Sequence, residues 1–170
     1  MDTPTNFFAA AQAINNELRN DLGPPEEGLI ATKGGIVPAA IVRGTRTYIE
    51  KVTNQANGAY QNGWYDACAV MLRRLLETLI IETFEAHSIG HKIKNPQGDF
   101  FYLRDLIDKT VAETTWNLGR NTKSALPRLK DLGDKSAHTR RYIAVRDDLE
   151  KVQSDVRLVV QELLSIAGLK

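Results

Sequence analysis

Apolar side chains recur every three or four residues along most of this chain, which places them on one face of an α-helix. The longest stripe covers residues 64–87 and predicts a central core helix. Its apolar members are Trp64, Cys68, Met71, Leu72, Leu75, Leu76, Leu79, Ile80 and Phe84. The same spacing predicts a final helix over residues 145–167, with acidic residues in its first turn and Gly168 just past its end.

Weaker patterns predict the N-terminal elements. A first amphipathic helix is predicted over residues 3–20, followed by a Gly- and Pro-rich crossing loop, ordered or flexible, that continues to residue 44. The next helix is predicted to begin near Thr45, with Thr47 and Glu50 forming a capping box. Gly58 and the Asn62-Gly63 pair are predicted to interrupt it.

Shorter elements are predicted between the two long helices. Asp99 can cap a helix, whose predicted buried positions are Phe100, Leu103, Ile107 and Val111. Residues 114–144 are predicted to form mostly short pieces, in which Pro127 opens a turn or two of helix and Gly133 closes it. No alternating strand pattern appears, so the predicted fold is an all-α compact bundle with a long C-terminal helix. Residues 1–44 are expected to pack with residues 45–170 as one globular unit.

Composition narrows the class of protein. The 170 residues are 42% hydrophobic and 25% charged, as expected for one globular domain. The net charge of +1 excludes a globally basic nucleic-acid-binding protein. A lone cysteine, Cys68, excludes a disulfide framework and suits a reducing compartment. No apolar run is long enough for a membrane span and no signal segment is visible, so we expect a cytoplasmic protein. We expect no metal and no cofactor.

Positive charge is concentrated between Arg120 and Arg141, a segment with seven basic residues and only two acidic ones, Asp131 and Asp134. The basic residues are Arg120, Lys123, Arg128, Lys130, Lys135, Arg140 and Arg141. Such a segment on an otherwise neutral protein suits contact with phosphate groups. The alternative is that these side chains are solvated and only favour solubility.

His138 lies inside this basic segment. An imidazole titrates near neutrality and can act as a general base or acid, while nearby cations hold a phosphodiester. That combination suits RNA cleavage, in which the 2′-hydroxyl is the nucleophile. The alternative is a histidine that orders the turn before the last helix, through a backbone carbonyl or Glu77. Arg73 and Glu77, one turn apart on the core helix, are expected to face His138 and order its surroundings.

Two segments of the chain resemble a known family. The run from Gly63 to Glu77 and the run from Leu132 to His138, followed by a long terminal helix, are similar to a bacterial domain family of unknown function in the HEPN group (higher eukaryotes and prokaryotes nucleotide-binding). The likeness covers about residues 45 to 168. It implies a compact helical bundle that commonly dimerises, with the histidine motifs of two protomers near the dimer axis.

The resemblance also bears on catalysis. Active relatives are metal-independent RNases that carry an arginine, a polar residue, a short spacer and a histidine; here Gly133 stands at the arginine position and Asp134 at the polar one. This favours a homodimeric HEPN-like module that binds RNA or a protein partner, such as an antitoxin, in a bacterial defence or toxin-antitoxin context.

The alternative function is a metal-independent endoribonuclease that leaves 2′,3′-cyclic phosphate ends, with His138 and Asp134 as its catalytic residues. In both cases the predicted phosphate-binding residues are Lys130, Lys135, Arg140 and Arg141. The predicted dimer surface is an apolar stripe on the final helix, formed by Val159, Val160, Leu163 and Leu164.

Overall fold

A computed structural model of the chain describes residues 9–14 and 34–170. These residues form helices and connecting loops, and no β-strand occurs among them. The helices are α1 (Ala39–Val42), α2 (Thr47–Gln61), α3 (Tyr65–Ala86), a 3-10 helix (Gly90–Ile93), α4 (Leu103–Ala112), α5 (Arg120–His138) and α6 (Arg146–Ile166). The predicted all-α compact bundle with a long C-terminal helix is confirmed.

Helix α3 is the centre of the bundle and packs against α2, α4, α5 and α6. Its predicted apolar stripe is buried almost throughout, and burial raises the pKa of the Cys68 thiol to about 12, as expected for a core residue. Met71 is half-buried and Trp64 is exposed. Trp64 precedes the first turn of α3 and is 47% exposed, because the stripe reaches the core only where the helix begins.

Residues 34–44 belong to the predicted crossing loop, but they include the short helix α1 and are anchored in the core. Ile36 and Val37 are fully buried. The buried Asn57 side chain of α2 accepts a hydrogen bond from Val37 N at 3.0 Å and donates one to Val37 O at 2.8 Å. Gly35 allows this approach, since a Cβ there would lie 2.6 Å from Asn57 Cγ. Residues 9–14 are helical, whereas the rest of the predicted first helix and loop lies outside the described residues.

Helix α2 shows two differences from the prediction. It continues through Gly58, which is buried, and ends at the Asn62-Gly63 pair. The capping box does not form, because Thr47 is already inside the helix and Glu50 instead accepts a hydrogen bond from Gly44 N at 2.6 Å. The Glu50 carboxylate therefore ties the preceding loop, rather than the cap, to the first turn of α2.

Helix α4 begins later than predicted. Asp99 and Phe100 precede it, in a turn where Lys94 and Phe100 form an isolated antiparallel bridge and Lys94 lies over the Phe100 ring. Phe100 is 37% exposed, so it is not the buried position that its spacing predicts. Leu103 and Ile107 are buried as predicted.

Helix α5 is the largest departure, because the predicted short pieces form one continuous helix of 19 residues. Pro127 lies inside it, on the exposed side. Proline has no N–H, so one carbonyl of the preceding turn loses its hydrogen-bond partner, and on the exposed side this carbonyl can contact water. Gly133 does not end the helix. It is buried against α3, where a Cβ would lie 2.6 Å from Arg73 Cβ and 3.2 Å from Ala69 O.

The start of α5 is held by a residue of α6. Gly119, which precedes the helix, has no side chain to cap it, and its N–H donates to the Glu162 carboxylate at 2.5 Å. The buried Thr122 hydroxyl donates to the other oxygen of the same carboxylate. A negative charge at a helix N-terminus is also favoured by the helix dipole.

Helix α6 agrees with its predicted ends but not with its predicted dimer surface. Asp148 accepts a hydrogen bond from Val145 N at 3.2 Å, and Gly168 adopts a positive φ of 65° just past the helix. The four residues of the predicted stripe are fully buried inside one chain, because α6 packs against both α3 and α5. They offer no surface to a second copy.

Across residues 9–14 and 34–170 we find no helical stretch whose length and hydropathy suit a bilayer-spanning segment.

Candidate functional site

A cleft of about 320 Å³ lies where α3, the start of α4 and the second half of α5 meet. Four residues singled out in the sequence line it: Arg73, Lys130, Asp134 and His138. They come from two segments about sixty positions apart, which the α3–α5 contact brings together. The remaining lining residues, Tyr102, Arg104 and Asp105, come from α4 and the residue before it.

The helical repeat explains how α5 supplies three of these side chains. Lys130, Asp134 and His138 follow one another at intervals of four residues, so they share one face of the helix. Gly133 lies against α3 and brings the two backbones close. This close approach allows Arg73 of α3 to reach across to α5.

Asp134 joins the two helices. Its carboxylate accepts one hydrogen bond from Arg73 Nε at 2.8 Å and one from Lys130 Nζ at 2.6 Å. Partial burial on its own raises the pKa of Asp134, but the hydrogen bonds from Lys130 and Arg73 outweigh it, and the net shift lowers that pKa. The carboxylate is therefore ionised at neutral pH, and its contribution to stability is lost only as the pH falls through this lowered pKa.

The cleft carries a small positive charge. Its lining includes three cationic side chains, Arg73, Arg104 and Lys130, and two carboxylates, Asp105 and Asp134. Its formal charge is therefore +1 when His138 is neutral. The hydrogen bond to Asp134 raises the pKa of the Lys130 ammonium, so this cation persists. Arg104 and His138 are exposed, whereas Arg73 and Lys130 are partly covered. Arg104 Nε donates to Asp105 at 3.3 Å, yet its side chain is 76% exposed, so an entering anion meets this guanidinium before it meets Arg73 and Lys130.

The other predicted site residues lie outside this cleft. Glu77 approaches Arg73 with an N–O distance of 3.8 Å, as a partner of that arginine. Lys135 lines a separate groove with Arg128 and Tyr142. Arg140 and Arg141 are exposed in the turn after His138 and form no ion pair within the described part of the chain.

The turn that follows His138 is anchored at its far end. Ala144 N donates to Asp66 of α3 at 3.0 Å, and the Tyr142 hydroxyl donates to Asp148 of α6 at 2.9 Å. Burial, with the hydrogen bond to Asp148, raises the pKa of Tyr142 to about 12. The basic turn therefore has a defined position next to the cleft.

Three lining residues were missed in the sequence, namely Tyr102, Arg104 and Asp105. The apolar spacing between Asp99 and Val111 predicts the buried positions of this helix and does not indicate that its polar side chains belong to a site. A signal is present in the sequence, since an aromatic residue two positions before a basic one, as in Tyr102 and Arg104, suits a surface for single-stranded nucleic acid. The basic segment 120–141 itself contains no Phe, Tyr or Trp, and Tyr142 lies just beyond it.

Among residues 9–14 and 34–170 there is no cluster of three or more His, Cys, Asp or Glu side chains that could hold a metal ion. Comparisons of the chain with protein-family models, with curated proteins and with solved structures find no match. The HEPN resemblance therefore stays a prediction that rests on the two sequence segments quoted for it.

Proposed function

We propose that this protein binds RNA through the phosphate backbone, at the cleft that ends in His138. The observation that carries the proposal is the convergence of Arg73, Arg104 and Lys130 beside His138 in one cleft. Guanidinium and ammonium groups are the usual protein donors to phosphate oxygens. The exposed Arg140 and Arg141 extend this positive surface beyond the cleft.

The ion pairs inside the cleft lower its affinity for phosphate. Asp134 occupies hydrogen-bonding groups of Arg73 and Lys130 in the free protein. A phosphate that enters must therefore share these cations with a resident carboxylate, which limits the affinity for anions in general. In this proposal Asp134 competes with phosphate for both cations and does not itself contact the RNA.

Two single substitutions are expected to change RNA affinity in opposite directions. Lys130→Ala removes one phosphate donor and weakens binding roughly tenfold at low salt. Asp134→Asn releases Arg73 and Lys130 and strengthens binding by up to about fivefold. The measurement is fluorescence anisotropy of a short labelled single-stranded RNA between about 50 and 200 mM salt. The salt slope is expected to fall by about 0.7 in Lys130→Ala, which is the loss of one phosphate contact.

Lys135→Ala is the matched control, because Lys135 has the same charge on the same helix but lines another groove. It is expected to change the affinity less than Lys130→Ala does. Equal losses in both variants would assign binding to the whole basic segment rather than the cleft. No binding of wild-type protein to any RNA at low salt would contradict the proposal and favour a protein partner.

A metal-independent endoribonuclease is the second candidate, and the position of His138 in the cleft favours it. In this mechanism His138 takes the proton of a 2′-hydroxyl, whose oxygen attacks the adjacent phosphorus. The bond from phosphorus to the 5′-oxygen breaks, the departing oxygen takes a proton from water, and a 2′,3′-cyclic phosphate remains, while the cations stabilise the developing charge. Cleavage that persists in EDTA, spares DNA and is lost in His138→Ala would establish this function in place of binding alone.

Gly133 is the reason why binding ranks first. The resemblance places an arginine at this position in active relatives, whereas here the position is buried against Arg73 and the Ala69 backbone. A side chain at 133 therefore has no room to enter the cleft. The guanidinium that α3 contributes to the cleft, that of Arg73, is paired with Asp134. Intact RNA after long incubation is the expected result.

The resemblance adds a homodimer to this proposal. The large apolar side chains exposed near the His138 turn are Ile143 and Val145, which are 76% and 52% exposed. We expect a dimer by light scattering, and a monomer after Ile143→Lys, because a charge there opposes burial. Leu158→Lys, on a 36% exposed residue of α6, is the control. A wild-type monomer at every concentration would contradict this part of the proposal.

A further inference from the structure

Tyr102 is the most exposed large hydrophobic residue in the described part of the chain, with 84% of its surface accessible. It lines the cleft beside Arg73, Arg104, Lys130 and His138. Neither its ring nor its hydroxyl has a partner within the described residues. An aromatic face left open next to phosphate-binding cations needs an explanation that the phosphate contacts do not supply.

The backbone holds Tyr102 in a defined position. On one side Phe101 is packed against the core and its N–H donates to Ile93 O at 3.0 Å. On the other side Leu103 is fully buried, and Tyr102 O accepts a hydrogen bond from Leu106 N at 3.0 Å. Packing and hydrogen bonds therefore fix the backbone on both sides of Tyr102, while its ring is exposed to solvent.

We propose that Tyr102 stacks on an unpaired base of single-stranded RNA while the adjacent phosphate binds the cations of the cleft. This inference rests on the proposed function and specifies its ligand. Bases of a duplex are stacked within the helix, so an exposed ring beside the backbone contacts can reach a base only where the strand is unpaired. Every base has a π-face, so this contact requires single-strandedness rather than a particular sequence.

The size of the cleft fits this ligand. At about 320 Å³ it lies near the lower end of the range for small-ligand sites, which suits one nucleotide rather than a duplex. Arg104 lies two positions from Tyr102, with its side chain 76% exposed, so one short segment presents both a ring and a guanidinium. An acidic peptide would use the guanidinium but leave the ring without a stacking partner.

The test compares two substitutions at Tyr102 in the full chain. Tyr102→Ala is expected to weaken binding of a short oligouridine roughly 5- to 150-fold, the range measured for loss of base stacking. Tyr102→Phe keeps the ring and is expected to bind as wild type does. The alanine variant should fold normally, because the side chain is exposed and makes no capping hydrogen bond to α4. Thermal melting of both variants checks this point.

Phe100→Ala is the matched control, since it removes an aromatic ring two positions away that does not line the cleft. It is expected to leave affinity unchanged. A second readout is the fluorescence of a 2-aminopurine base in the oligonucleotide, which stacking quenches in wild type and in Tyr102→Phe but not in Tyr102→Ala. An abasic strand of the same length is expected to bind wild type and Tyr102→Ala equally.

The outcomes separate this inference from the proposed function. If wild-type protein binds no RNA, the proposed function fails and the inference fails with it. If RNA binds but Tyr102→Ala binds equally well, or a duplex binds as tightly as the single strand, only the stacking inference is overturned. Polyglutamate is the probe for an acidic protein partner. Such a partner would be indicated if polyglutamate competes with RNA and if Tyr102→Ala changes the affinity for neither of them.

Discussion

Replacing Asn57 with leucine is expected to lower the free energy of unfolding by roughly 2–6 kcal/mol, since two buried backbone groups each lose a hydrogen bond worth about 1–3 kcal/mol. Asn57 is fully buried, and its side chain pairs with both Val37 N and Val37 O. Leucine has a similar size but no polar atoms, so the Val37 groups remain unpaired. Urea denaturation measures the loss, and hydrogen exchange at the Val37 amide shows whether residues 34–44 detach first.

Asn62→Ala is the control for this substitution. Asn62 is half-buried at the end of α2 and makes one hydrogen bond to Gly58 O at 2.8 Å. Its loss is expected to cost about 1 kcal/mol or less, because water can replace the amide. Equal stability losses for the two asparagine variants would show that the 34–44 segment does not depend on Asn57.

Replacing Gly133 with alanine is expected to destabilise the protein by about 1–3 kcal/mol, even though alanine is the better helix former by roughly 1 kcal/mol. The new Cβ would lie 2.6 Å from Arg73 Cβ and 3.2 Å from Ala69 O. Both contacts are at or next to the α3 backbone, so neither can swing aside, and the two helices must separate. Thermal or urea denaturation measures this loss.

The same substitution is expected to weaken RNA binding, because the separation moves Arg73 away from Lys130 and the other side chains that line the cleft. Gly90→Ala is the control, since a Cβ there meets only Glu85 Cγ, at an ordinary 3.5 Å. A Gly133→Ala protein as stable as wild type would show that the α3–α5 contact tolerates a methyl group, and that Gly133 has another role.

The long helices could be predicted because burial imposes a strict spacing on them. The stripe on α3 has one possible partner, the core, and it predicts the helix to within a residue at each end. Helix α5 could not be predicted, because Pro127 and Gly133 are typical helix breakers when judged locally. Their tolerance depends on where the helix lies: Pro127 faces solvent, and Gly133 meets a neighbouring backbone. Neither environment is visible in the chain itself.

The candidate site was predictable in part for the same reason. Arg73 and His138 could be paired because a resemblance linked their segments, and Lys130 because it belongs to a concentrated run of basic residues. Tyr102 and Arg104 lie in a segment with neither property, and only the packing of α4 against α5 brings them to the cleft. The separation of Lys135 from the cleft depends on which side of α5 it occupies, and so required the full length of that helix.

The Glu162 contact at the start of α5 has a consequence for how chain length can vary in this fold. The helix is held at Gly119 and Thr122, whereas its cleft residues lie further along it. One residue inserted between position 122 and position 130 turns Lys130, Asp134 and His138 about 100° away from α3, because each helical residue rotates the chain by that angle. An insertion at Arg140 or Arg141 leaves all three in place. An insertion after His138 therefore preserves the cleft, whereas an insertion between positions 122 and 130 prevents the cleft from forming.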